Sequence, residues 1–308
     1  MKLIKNKMSS IDKKEITKII ENQINLSLNL KLNDSQIHPL RIIQASKALI
    51  GLNLDSPNKK LIHFNKLYLE SQTLDNYKSI QKNNGKLNDV VSLQDLEDAL
   101  INNDREVAIE IFNQIKLVSS EVHILEFLIE IALKQTGKSF LNIWSLYKSV
   151  LFLKNKSIDK FAHLVIDMIL NDKFRNIDNQ LNKLDIEDLI NINFTNNSLD
   201  LYAHLYEAYK MELIRSENIR KLINLFISDN FRNLDYHSSM EKFKPKYPKL
   251  LSNGRAYILD IVNEKKYRLS PDMILFLDSI RTLFRFTHKK NHKIIVYHLE
   301  SKLEAFNV

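Results

Sequence analysis

The stretch IALKQTGKSF (131–140) contains Thr136-Gly137-Lys138-Ser139, the ending of a phosphate-binding loop. Such a loop wraps phosphates in backbone amides. It needs an earlier glycine five residues before the second, in a turn between a strand and a helix. Ala132 stands in that place, and EFLIEIALKQ before the motif has helical apolar spacing. The pattern therefore predicts two helices joined by a turn. Gly137 takes the left-handed conformation after a first helix that ends near Gln135. Nucleotide chemistry is not expected here.

A second constellation is HKKNHKIIVYH, with His288, His292 and His298. His288 and His292 are four apart, so two imidazoles could share a helix face. A hydrolytic zinc site on this spacing carries a glutamate between its histidines. Here Lys289, Lys290 and Lys293 crowd the site, and their repulsion opposes a cation. A basic surface is expected rather than a metal. His38, His63, His123, His163 and His204 fall in separate segments, with no repeated Glu-x-x-His of the di-iron type. No metal, cofactor or catalytic residue is assigned. A helical enzyme with a His-lined pocket is the third reading.

The third constellation is basic and aromatic. KFKPKYPK supplies Lys242, Lys244, Lys246 and Lys249 with Phe243 and Tyr247. RTLFRFTHKKNHK supplies Arg281, Arg285, Lys289, Lys290 and Lys293. Arg281 and Arg285 are four apart and are expected on one helix face. Lysine and arginine neutralise phosphates, and exposed aromatics stack on unpaired bases. The candidate binding residues are therefore Lys244, Lys246, Tyr247, Lys249, Arg281, Arg285, Lys289, Lys290 and Lys293. The alternative is that Phe284 and Phe286 belong to the core and the charges only solubilise this end. Trp144 and Tyr147 are read as packing residues.

The elements that must hold these residues are helices. Of 308 residues, only four are glycine and five are proline, too few for the tight turns of a sheet-rich fold. There is no cysteine, which excludes disulfides, cysteine-ligated metals and a thiol nucleophile. No apolar run approaches the ~20 residues that span a bilayer. The net charge is +8 and uneven. Residues 1–50 carry nine Lys/Arg against four Asp/Glu, and residues 231–308 fifteen against eight. Basic ends on a mildly acidic body suggest a polyanion partner. A Lys-rich, compositionally biased chain with solvated faces is the other reading.

Helix-start signals recur at Ser92, Asp104, Ser120, Ser157, Ser198 and Ser216. Ser56-Pro57 and Ser270-Pro271 add a cap followed by proline. Inside these segments Ile124, Leu125, Leu128, Ile129 and Leu133 keep helical spacing, as do Leu201, Leu205, Ala208 and Met211. Short turns at Asn102-Asn103-Asp104 and Arg215-Ser216 imply antiparallel hairpins. First helices begin near Ser92, Ser120, Ser157 and Ser198, separated by 28, 37 and 41 residues. This is a degenerate period in the range of helix-pair solenoids. The expected layout is an N-terminal helical cap (1–70), a linker (71–91), a repeat body (92–230) and a basic C-terminal helical region (231–308). A further exposed break is expected at 235–254.

LEDALINNDREVAIEIFNQIK (96–116) resembles a pentatricopeptide-type hairpin. Ala108, Ile111, Phe112, Ile115 and Lys116 fit that family's second-helix pattern A-x-x-[LI]-F-x-x-[MI]-[KR]. FLNIWSLYKSV (140–150) and DLYAHLYEAYKMEL (200–213) resemble its divergent helices. The spacing departs from the family's near-constant repeat length, which leaves tetratricopeptide-like or other solenoids open. The general style resembles rapidly diverging fungal mitochondrial RNA-handling proteins. The resemblance implies an all-α solenoid that binds single-stranded RNA, an organellar transcript. Its role would lie in transcript stability, processing or translation. It implies the mitochondrial matrix, with the cytoplasm as the alternative. The basic N-terminus, which lacks arginine and includes Asp12 and Glu15, is a poor targeting segment. The runner-up function is a protein-binding scaffold or assembly factor that meets an acidic protein or ribosome surface.

Overall fold

The computed structural model describes residues 2–32, 37–74, 91–154, 158–175, 184–231 and 243–307, without the side chains of 2–12, 158–163 and 253. Lys242, the Ser157 start signal and most of the expected linker 71–91 lie outside them, as does much of the expected break at 235–254. The described residues are all-helical, with no strand and three isolated β-bridges. The helices are α1 (Lys2–Ser27), α2 (Pro39–Ile50), α3 (Lys59–Glu70), α4 (Leu93–Ile101), α5 (Arg105–Val118), α6 (Glu121–Leu133) and α7 (Lys138–Phe152). They continue with α8 (Ile158–Leu170), α9 (Asn196–Lys210), α10 (Ser216–Asn230), α11 (Lys249–Asn253), α12 (Ile258–Asn263), α13 (Pro271–Phe286) and α14 (His292–Leu303). Among the described residues no helix is long and apolar enough to cross a membrane.

Local chemistry sets most helix starts. Ser92, Asp104, Ser120 and Ser270 each accept a backbone N–H of the following turn. Three start signals shift. Asn58 caps α3, accepting the Leu61 amide at 3.2 Å, in place of Ser56. Thr195 caps α9, and Ser198 is its capping-box partner three residues on. Ser216 is the first residue of α10, and its hydroxyl accepts from the Leu213 amide at 2.8 Å.

Gly137 adopts the left-handed conformation (φ 98°) as expected, at the entry to α7. The Asp172 carboxylate accepts the Ser139 amide at 3.0 Å and also receives the Thr136 hydroxyl. An internal anion therefore already occupies the position a phosphate would take. A Cβ on Gly137 would lie 2.6 Å from the Phe226 ring. Gly137→Ala is expected to cost at least about 2 kcal/mol, from φ strain and overpacking together. Urea denaturation checks this, and a loss within experimental error would contradict the fit.

α2 enters behind His38-Pro39. His38 Nδ1 accepts the Leu40 amide at 3.1 Å, so Nε2 carries the proton it donates to the Leu30 carbonyl at 2.9 Å. Burial pushes His38 down to about 4, and the Leu30 bond offsets part of that shift. A depressed folded pKa gives stability that is present above the unfolded value and lost as pH falls through the folded one. Between about pH 6.5 and 4 this residue should remove roughly 3 kcal/mol. Buried His204 and half-buried His292 are also pushed down and add in the same direction. His38→Asn is expected to be less stable at neutral pH and to lose less on acidification. An unchanged pH slope in denaturant titrations would count against this.

The core centres on α2, α7, α9 and α13. α13 packs chiefly on α9 and α2, and α2 also packs on α7. Helices α6 and α8 pack on α7, α4 and α5 pack in turn on α6 and α8, and α1 and α3 pack on α2. In a one-dimensional solenoid each unit meets only its chain neighbours. Here a helix from the first fifth of the chain meets one from the last. α13 is buried along its whole middle, from Met273 through Phe284. That run includes Asp278, Ser279, Arg281 and Thr282, so the core must partner them.

Candidate functional site

Two groupings result, one buried and one exposed. The buried one joins four helices. Arg41 of α2 pairs with Asp200 of α9, and the Ser279 hydroxyl of α13 lies 2.9 Å from Asp200 Oδ1. Glu207 of α9 accepts Trp144 Nε1–H at 2.8 Å and Lys148 Nζ at 2.7 Å, both from α7. His204 sits between the carboxylates, with Nδ1 3.2 Å from Glu207 and Nε2 3.3 Å from Asp200. Arg281 donates to Asp278 at 2.6 Å and to the Thr282 hydroxyl at 2.9 Å. Burial alone would raise Glu207, but Lys148, the His204 bond and Arg281 hold it well below the usual carboxylate range. Burial and the neighbouring Lys148 lower His204, so the imidazole is neutral at pH 7. Three cations (Arg41, Lys148, Arg281) thus pair with three carboxylates (Asp200, Glu207, Asp278).

This cluster corrects one expected surface residue. Arg281 is only 5% exposed and pairs inside the core. Its spacing from Arg285 was right for a shared face, but α13 is sandwiched between α2 and α9 at that level. Arg285 lies beyond the sandwich and is exposed. The network left a weak sequence signal. Asp200, His204 and Glu207 repeat at helical spacing on α9, and Trp144 and Lys148 do so on α7. Nothing local says that the two faces meet.

The exposed grouping is built on residues 243–268. Lys244, Lys246, Lys249, Arg255, Lys265, Lys266 and Arg268 are all exposed. The Tyr247 amide donates to Glu300 of α14 at 2.8 Å, which ties the segment down. Tyr247 and Tyr267 hydroxyls are 2.7 Å apart, and Lys266 Nζ donates to Tyr247 at 3.0 Å. Lys266 Nζ also lies 4.8 Å from the Tyr267 ring centre, and Lys249 Nζ 5.7 Å from that of Tyr257. Burial, then the Tyr267 bond, push Tyr247 up to about 12. Lys246 pairs with Glu304 at 2.9 Å, both exposed, and exposed Lys266 pairs with half-buried Glu264 at 3.0 Å. Burial lowers Arg255, and the positive charges of Arg285 and Arg281 lower it further.

Lys244, Lys246 and Lys249 are exposed on this segment, and Tyr247 is half-buried between them. Sequence reasoning missed Arg255, Tyr257, Lys266 and Tyr267, although their alternation of cation and ring was readable. Lys289 and Lys290 are exposed beside His288, whose Nε2 is 3.8 Å from Glu187. Glu187 also binds Lys210, so this cluster is partly neutralised. Lys293 is half-buried.

The three C-terminal histidines separate. His298 is buried and donates to the Ile190 carbonyl at 2.9 Å, while His292 meets the Phe284 ring edge-on. Among the described residues no group of three or more His, Asp or Glu side chains is placed to hold a metal ion.

Comparison with family models, characterised proteins and solved structures gives no match to this chain.

Proposed function

We propose that the protein binds single-stranded RNA through the basic-aromatic face of residues 243–268. One observation carries this reading. That stretch has seven Lys/Arg, every one exposed, against two Asp/Glu, with Tyr247 and Tyr257 interleaved and half-buried. The cations can meet phosphates, and the tyrosine faces can exchange an ammonium for a base. The segment is also pre-ordered by its bond to α14, which lowers the entropy cost of binding.

The resemblance at 96–116 supports an organellar transcript as the RNA and a role in mitochondrial gene expression in the matrix. Ala108, Phe112 and Ile115 are buried, as packing positions of such a hairpin would be. In this reading α4–α5, α6–α7 and α9–α10 are degenerate repeat hairpins. The packing of α13 on α2 favours anchoring at the basic end over base-by-base reading along a groove.

The test is RNA crosslinking and co-purification from the protein's own cells, then anisotropy of an unstructured oligoribonucleotide against salt. The expected log–log slope is about −0.7 for each phosphate neutralised. No RNA above background, or a flat salt response, would sink the reading. A protein scaffold would then take its place, resting on the exposed Leu117, Val118 and Ile214.

A further inference from the structure

We propose that the chain associates head to tail with itself, the outer face of α5 of one copy lying in the cleft between α1 and α3 of the next. The proposal is independent of RNA binding. The cleft has a volume of about 380 Å³ and is lined by Ile19 and Gln23 of α1 and by Lys59, Ile62, His63 and Lys66 of α3. Ile19 and Ile62 are half-buried and give it an apolar floor. Gln23 uses both ends of its amide inside the protein. Its Nε2 donates to the Ile62 carbonyl at 3.5 Å, and its Oε1 accepts from Asn65 Nδ2 at 3.0 Å. Lys59, His63 and Lys66 are exposed. At about 100° per residue these three and Ile62 share one face of α3. No carboxylate lines the cleft. Lys66 meets Glu70 at 4.0 Å at the open surface, and Lys59 forms no ion pair among the described residues.

Lys59 and Lys66 are seven residues apart, about 10 Å along the helix axis. That separation suits acidic groups spread along a helix better than one small headgroup. The chain carries such a helix. On α5, Glu106, Val107, Glu110, Leu117 and Val118 are all exposed and fall within an arc of about 120°. Leu117 and Val118 are 67% and 81% exposed and adjacent, so they form an apolar patch rather than a scattered residue. Glu110 accepts from Gln114 of the same helix at 3.3 Å, and among the described residues neither glutamate forms an ion pair. The opposite face of α5, with Ala108, Ile109, Phe112 and Ile115, is buried, and the helix packs on α4 and α8. Held there, the stripe cannot turn into the cleft of its own copy.

The two faces complement each other. Glu106 and Glu110 are one turn apart, the same step that separates Lys59 from His63, so acids and bases can pair along two helices laid side by side. Val107, Leu117 and Val118 supply apolar surface for the floor at Ile19 and Ile62. Because cleft and stripe are different surfaces, the contact is heterologous. Each copy offers one of each, and assembly continues into rings or filaments instead of stopping at a two-fold dimer. The charges lie at the surface, so salt should weaken the contact.

The test is sedimentation velocity of the whole, nuclease-treated chain from about 1 to 200 µM. At about 0.05 M salt the weight-average mass should rise at least about twofold over that range, and at about 0.5 M it should fall back. Lys59→Glu with Lys66→Glu should stay monomeric, and so should Glu106→Lys with Glu110→Lys. Mixing the two variants should restore assembly. The first keeps the native α5 and the second the native cleft, so one intact contact forms between them, and its return shows that both variants fold. A wild-type chain that stays monomeric, assembly that survives either pair of reversals, or a mixture that does not assemble would overturn the proposal. RNA takes no part in the readout, so any of these results leaves the RNA reading untouched.

Discussion

Replacing Lys244, Lys249, Arg255 and Lys265 together by glutamine is expected to weaken RNA binding by up to several hundredfold at about 0.1 M salt. All four are exposed, and none forms an ion pair among the described residues. Their loss should leave the fold intact, since surface substitutions usually change stability by less than ~0.5 kcal/mol. If each meets one phosphate, the log–log salt slope becomes shallower by about 2.8, which over one decade of salt gives that loss. The matched variant, with lysine at 255 and arginine at the other three positions, keeps the charge and should keep most of the affinity. An unchanged slope in the glutamine variant would move the contact away from 243–268. Changing Arg281 tests something else, because its guanidinium is inside the core.

Glu207→Ala should be the most destabilising single change in the cluster, costing about 3–5 kcal/mol. Glu207 is 2% exposed and serves three partners: Trp144, Lys148 and His204. Without it a nearly buried ammonium and an indole N–H lose their acceptor, and neither reaches water easily. Glu207→Gln keeps an acceptor for Trp144 but not the charge facing Lys148, so it should fall between wild type and alanine. Denaturant unfolding at neutral pH measures both. A loss below about 1 kcal/mol for alanine would show that water or relaxation replaces the carboxylate.

The two predictions separate the roles of charge. On 243–268 the cations face water and contribute little to stability. In the cluster the same residue types link helices far apart in the chain. Arg41 and Asp200 tie α2 to α9, and Ser279 ties α13 to the same carboxylate. These contacts help to close the chain's early and late helices into one core.

The helical class and many helix starts were legible in the order of the amino acids. Ser92, Asp104, Ser120 and Ser270 are settled within one turn by a side chain and an amide three residues on. Gly137 is likewise local, needing only a residue that tolerates positive φ. Even the shifted starts moved by two or three residues, to Asn58 and Thr195, because a neighbouring polar side chain competes for the same amides. The lysines of 244–249 were legible for a related reason, since a charge-rich, proline-broken stretch stays at the surface wherever it lies. Only the packed helices settle that Arg281 is buried while Arg285 is exposed, and that Arg41 meets Asp200. Helical spacing says which residues share a face. Which face is covered depends on a partner helix tens to hundreds of residues away, and no local free energy encodes that choice.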